Sequence, residues 1–152
     1  MRNQFYISGL YYEIGEFKFR KYLNIKLKNS IKQRPDLMII MMNPGASRPL
    51  DAIDNNNLES EAIPDRTQDQ IMKVMTACKL EYARVLNLTD IRDPKSNQML
   101  LKLTELDQQG IPHSLFDSRR RNEFDALFIK NVPVILAWGV NKKLQKLMDI
   151  HF

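Results

Sequence analysis

One cysteine, one tryptophan and two histidines in 152 residues remove several kinds of chemistry at once. Cys78 alone closes no intramolecular disulfide and builds no multi-cysteine zinc site. His113 and His151 give no metal-ligand spacing, and the chain holds no P-loop, no GxGxxG and no serine nucleophile elbow. Common nucleotide-binding, metal-hydrolase and serine-hydrolase classes lose their signatures, and no cofactor is implied. No apolar run reaches the length of a membrane span, and Met1-Arg2-Asn3-Gln4 opens no signal peptide, so cytoplasmic residence is the default expectation. What is present is ordinary: 43% hydrophobic and 27% charged residues suffice for one domain, read here over 1–152, with its own core. A net charge of +5 permits an acidic partner without requiring one.

The chain is organised around Asp36–Pro49, DLMIIMMNPGASRP. Leu37, Ile39 and Met41 alternate with Met38, Ile40 and Met42, so a strand here is apolar on both faces, as in the interior of a parallel sheet. It stops at Asn43-Pro44-Gly45. Asn43 offers a donor and an acceptor, Pro44 stiffens the exit, and Gly45 lets another group approach the backbone. Ligands of open α/β sheets bind beyond the carboxyl ends of such strands. The plainer reading is a strand followed by a turn.

Two further strands repeat the design. Ala83–Leu88 (ARVLNL) ends in Asn87, Thr89 and Asp90, then Arg92-Asp93-Pro94. Val132–Ala137 (VPVILA) ends in Trp138-Gly139. Helical patterns separate the three: one from Thr67, capped by Thr67-Gln68-Asp69-Gln70, with Ile71, Val74, Met75 and Cys78 as its core stripe. Another spans Ser96–Leu106, and a third follows Asp117 or Ser118, with Arg119, Arg120 and Arg121 facing out. A last helix is expected over Asn141–Met148. Before the core, residues 1–35 read as an antiparallel hairpin, Phe5–Tyr12 with Phe17–Leu27, whose wet face carries Lys18, Arg20, Lys26 and Lys28. The polar Ala46–Asp65 connection is long enough to predict a functional or partly disordered loop. Residues 36–152 then form a three-layer α/β/α sandwich with a central parallel sheet. The first strand is expected in the middle, with Asn43, Asn87 and Trp138 converging at one rim.

The segments MMNPGASRP, PDRT, VLNLTDIRDP and VILAWG resemble a bacterial and phage family, domain of unknown function 1643, over Leu37 to Leu147. That resemblance implies a uracil-DNA glycosylase-like fold and no established reaction. Met41-Met42-Asn43-Pro44-Gly45 is similar to a Gly-Ile-Asn-Pro-Gly motif of mismatch-specific glycosylases, which implies that Asn43 positions the attacking water. VLN is similar to a motif whose asparagine reads the edge of a flipped base, which implies that role for Asn87. Leu136-Ala137-Trp138-Gly139 resembles the Leu-Leu-Trp-Gly end of a third strand. A His-Pro motif after a fourth strand, the usual leaving-group stabiliser, has no counterpart up to Phe152.

The expected site is therefore Asn43 for catalysis, with Pro44, Gly45, Asn87, Thr89, Arg92, Trp138 and Gly139 holding a nucleobase, nucleotide or DNA end. N-glycosidic hydrolysis is the candidate reaction. A second reading is a non-catalytic nucleic-acid-binding module in which Arg92, Arg119, Arg120, Arg121 and the hairpin lysines make one basic surface. A third is a protein-interaction domain using the Ala46–Asp65 loop. The third strand's open edge is expected to be covered by the hairpin, by a second copy of the chain in a homodimer, or by further residues.

Overall fold

The structure, a computed structural model, describes residues 1–138. Phe5–Ile14 (β1) and Phe17–Leu27 (β2) form the hairpin, with Ile14 opposite Phe17 and Gly15 at φ +59° in its turn. Leu37–Met41 (β3), Glu59–Glu61 (β4) and the helix Arg66–Cys78 (α1) follow, then Tyr82–Asn87 (β5) and the helix Ser96–Gln108 (α2). A 3-10 turn at Ser118–Arg120 leads into the helix Arg121–Leu127 (α3), and Val134–Ala137 (β6) comes last.

The six strands make one sheet in the order β4-β1-β2-β5-β3-β6. β3 lies between β5 and β6 and is parallel to both, the adjacency expected of the three apolar segments. The sheet as a whole is mixed, which corrects the expectation of a parallel sheet with a hairpin set before it. β2 pairs antiparallel with β5, and β1 carries β4 antiparallel on its outer side. The reason is burial. Leu23 and Ile25 of β2 are covered by the same layer as Val85 and Ala83, their partners in β5, so the hairpin extends the core sheet.

Both faces of β3 are used as its alternation demands. Leu37 and Ile39 pack with Ile71, Met72 and Met75 of α1, and Met38 and Ile40 with Leu86, Leu88 and Phe124 of α3. Burying each such side chain stabilises the fold by roughly 1.5–3 kcal/mol against an extended chain, an upper bound. A third cluster joins Phe17, Phe19 and Ile91 to Met99, Leu103 and Leu106 of α2.

Three local expectations are corrected. Helix α1 is capped by Asp65, not Thr67: Gln68 N–H donates to Asp65 Oδ1 at 2.9 Å and Asp65 N–H to Gln68 Oε1 at 3.2 Å. Its buried stripe is Gln68, Ile71, Met72 and Met75, an i, i+3, i+4, i+7 set, while Val74 and Cys78 face solvent. The Ala46–Asp65 connection is tied down rather than loose. It contains β4, a Pro49–Ala62 bridge, and Glu59, which accepts from Ser8, Tyr22 and Asn24. Finally, among the described residues β6 is not buried on both faces: it stands at the sheet edge with Val134 41% and Leu136 53% exposed. The hairpin lies on the far side of β5 and does not cover it. Gly139, the Asn141–Met148 helix and His151 lie outside the described residues. Among the described residues no helix is long and apolar enough to cross a membrane.

Candidate functional site

A cavity of about 150 Å³ opens where β3 ends and α1 begins. Asn43, Pro44 and Gly45 line one side, Asp65, Thr67 and Gln68 of the helix start another, and Arg20 and Leu23 of β2 close the floor with Ile71 and Val85. The strand-to-turn punctuation builds the first wall. Gly45 adopts φ +63° and Ser47 N–H donates back to Pro44 O at 3.2 Å. A Cβ on Gly45 would meet nothing within 4 Å, so glycine serves the backbone conformation there, not a close approach. The capping box at the start of α1 builds the second wall.

Asn43 is anchored. Its Nδ2 donates to Asp93 O at 2.8 Å and to Ile91 O at 3.4 Å, tying the end of β3 to the segment after β5. That fixes the amide orientation and leaves Oδ1 as the side chain's acceptor. Asn87 is fully buried and reaches the cavity only through Arg20, whose Nη2 donates to its Oδ1 at 3.1 Å. A guanidinium only donates, so Asn87 Nδ2 must point away from it, and that nitrogen has no partner.

Arg20 is expected from its alternation on the wet face of the hairpin and is instead 4% exposed. Arg20 alternates with Phe19 onto the face that α1 covers, and a β-bulge brings Leu23 and Ile25 onto that face with it: Leu10 pairs with Tyr22 and Tyr11 with Arg20, so Lys21 is an extra residue in β2. Phe17 and Phe19 face α2, Arg20 turns to the α1 side, and Lys21 turns back to pair with Glu123 at 2.9 Å. On the α1 side Arg20 Nη1 donates to Ser47 Oγ at 2.9 Å, and Tyr11 Oη shares the same hydroxyl at 2.9 Å. Burial pushes the Arg20 pKa down against the pull of its neighbours. The signal for this residue is the slip in alternation at Phe19-Arg20-Lys21-Tyr22, two basic residues in a row where the pattern calls for one.

The other expected site residues are placed elsewhere. Thr89 is buried, with Oγ1 2.9 Å from His113 Nδ1, while His113 Nε2 lies 3.1 Å from Asp107 Oδ1. This resembles a nucleophile relay, but Thr89 Oγ1 also accepts from Ile91 N–H and lines no part of the rim cavity. Trp138 packs on the α3 side with Met38 and Ile40, so it does not join Asn43 and Asn87. Arg92 is pinned by Asp54 at 2.7 Å and by Ser47 O, its guanidinium 4.9 Å from the Tyr11 ring centre.

The arginine triplet does not make a free basic face. Arg119 pairs with Asp117 and Arg121 with Asp125. Arg120, expected to face out, is buried between Asp90 at 2.8 Å and Glu123 at 2.9 Å because the 3-10 turn rotates it inward. A shallower hollow of about 320 Å³ lies over this group, lined by Tyr12, Lys21, Arg120 and Glu123. No cluster of three metal-ligating side chains occurs among the described residues. Comparison of the chain with family models, with curated proteins and with solved structures finds no match.

Proposed function

We propose that this protein binds a single-ring ligand of the nucleobase class at the carboxyl rim of its sheet, in a three-layer, glycosylase-like α/β/α domain, with hydrolysis of an N-glycosidic bond as the associated chemistry. The observation that carries this is the cavity bounded by Asn43-Pro44-Gly45, about 150 Å³, with the polar residues Arg20, Asp65, Thr67 and Gln68 also in its wall. A core cavity of ~150 Å³ in another protein takes one benzene ring, so the space suits one six-membered ring. Cleaving the bond requires a positioned water and stabilisation of the departing base. Asn43 Oδ1 is free to accept from a water because its amide nitrogen is committed elsewhere. An amide is a poor base, and the carboxylate of Asp65 on the same cavity wall supplies the basicity that Asn43 lacks.

The test is titration of the chain with pyrimidine bases, nucleosides and short DNA, followed by NMR, together with an assay for released base. Binding localised to Gly45, Gln68 and Ile71 amides is expected, with Asn43→Ala weaker by about 1–3 kcal/mol. Absence of binding by every base and nucleoside would sink the reading. A basic nucleic-acid surface has less support, since Arg92, Arg119, Arg120 and Arg121 each face a carboxylate.

A further inference from the structure

Most arginines of this chain already have acceptors. Arg2, Arg92, Arg119, Arg120 and Arg121 each meet a carboxylate, and Arg20 and Arg84 donate to neutral oxygens. Arg34, Arg48 and Arg66 are exposed, and among the described residues their side chains hold neither an ion pair nor a hydrogen bond. Two of these three stand at the rim cavity. Arg66 lies in the chain between Asp65 and Thr67, both of which line it, and Arg48 follows two residues after Ala46, which lines it too. Consecutive Cα atoms are about 3.8 Å apart, so both backbones lie within an extended arginine side chain's span of the wall. Ile63 N–H donates to Arg48 O at 3.1 Å, which holds that segment against the chain entering α1. Thr67 adds a hydroxyl on the wall itself: the residue is exposed, and its Oγ1 has no hydrogen-bond partner among the described residues. Arg34 precedes β3, at the opposite end of that strand from Asn43.

We propose that the mouth of the rim cavity holds a phosphate, so that the ligand is a ring carried on a phosphorylated sugar. The phosphate oxygens accept from Thr67 Oγ1 and from the guanidinium groups of Arg66 and Arg48. This rests on the ring-binding reading above and adds what the ring is attached to. A guanidinium presents paired N–H groups that match phosphate oxygens, and a hydroxyl supplies a further donor. Among the described residues Asp65 is the one carboxylate in the wall; one of its oxygens accepts from Gln68 N–H, and the two arginines outnumber it. Neither arginine side chain ties the fold together by a hydrogen bond or ion pair, so engaging a phosphate breaks nothing.

Calorimetric titration of the full chain at low salt with uridine, uridine 5′-monophosphate, a short single-stranded DNA containing uracil, and inorganic phosphate separates the phosphate from the ring. The monophosphate is expected to bind at least tenfold more tightly than uridine, the gain of one or more charge-assisted contacts. Added salt should shrink that margin. The pair of substitutions Arg48→Gln and Arg66→Gln should erase it, with uridine affected far less. Arg34→Gln removes the same charge beyond the far end of β3 and should leave the margin intact. All three side chains are exposed and unpaired, so the variants are expected to fold, which thermal unfolding checks. Tighter binding of the DNA than of the monophosphate names a nucleic-acid strand as the source of the phosphate, and the reverse names a free nucleotide; either supports the site. Equal affinity for uridine and its monophosphate overturns the phosphate inference and leaves the ring reading intact. Inorganic phosphate matching the monophosphate while uridine does not bind overturns the ring reading and this ligand with it. A loss with Arg34→Gln as large as with the pair would mean diffuse attraction and overturns the site, and no binding of any probe overturns both readings.

Discussion

Asp90 carries a cost that its partners only partly relieve. It is fully buried; Tyr12 Oη and Arg120 Nη1 both donate to Oδ2, at 2.7 and 2.8 Å, while Oδ1 has no partner. Burial pushes its pKa up to about 6 against the pull of Arg120 and Tyr12. A carboxyl whose pKa is higher folded than unfolded, where it is near 3.9, favours the native state below that unfolded value. The benefit fades as pH rises toward about 6. Asp90→Asn has no proton to lose there. Urea denaturation should therefore show the wild type gaining on Asp90→Asn between pH 7 and pH 4.5, by no more than about 3 kcal/mol over the whole window. A difference that stays flat with pH would mean that Asp90 is ionised throughout. The opposite sign governs Asp117, held at about 2 by Arg119, chiefly through their hydrogen bond, so its contribution is present above the unfolded value and is lost only in stronger acid.

At the scale of elements, α1 separates two sequence patterns that look alike. Asp65-x-x-Gln68 and Thr67-x-x-Gln70 both match a capping box, and only the first is formed. Asp65→Ala should lower stability by about 1 kcal/mol, and Thr67→Ala by much less, in thermal or urea unfolding. Equal losses would move the helix start. The strands were legible because a short segment apolar on both alternating faces needs cover above and below, which the middle of a layered sheet provides. Leu37–Met41 and Tyr82–Asn87 lie within one residue of where the pattern puts them. Their polar ends were legible for the same reason, and Asn43, Pro44 and Gly45 do line the cavity. The cavity's cationic member was not. A basic residue in an alternating strand reads as solvated, and the bulge that puts Leu23 and Ile25 on the same face as Arg20 has no glycine or proline to mark it. Arg120 was hidden likewise, since an arginine triplet carries no sign of which member a 3-10 turn will bury.

For the whole molecule, the order of strands sets a gradient of protection. β3 has a neighbour on each side and β5 likewise, whereas β4 and β6 stand at the two edges. The exposed Val134 and Leu136 show how little covers the β6 edge within the described residues. Hydrogen exchange should be slowest at Ile39, Ile40, Val85 and Leu86 and much faster at Glu59–Glu61 and Val134–Ala137, since edge pairs open without global unfolding. Exchange at β6 as slow as at β3 would show that the edge is covered, and loss of that protection on dilution would identify a second copy as the cover.

The place of β3 in the sheet has a consequence for the chain while it is being made. The most apolar strand is third in sequence, but its two neighbours are fifth and sixth. A nascent chain exposes Leu37–Met41 long before Val134–Ala137 leaves the ribosome. At about 5–20 residues per second, the roughly 100 residues between them take on the order of 5–20 s. The hairpin β1–β2 closes early but cannot cover β3, because β5 must come between them. During synthesis, then, the strand that ends up buried on both faces is the chain's stickiest unfinished part, and crowding of ribosomes on one message sets how often two such strands meet.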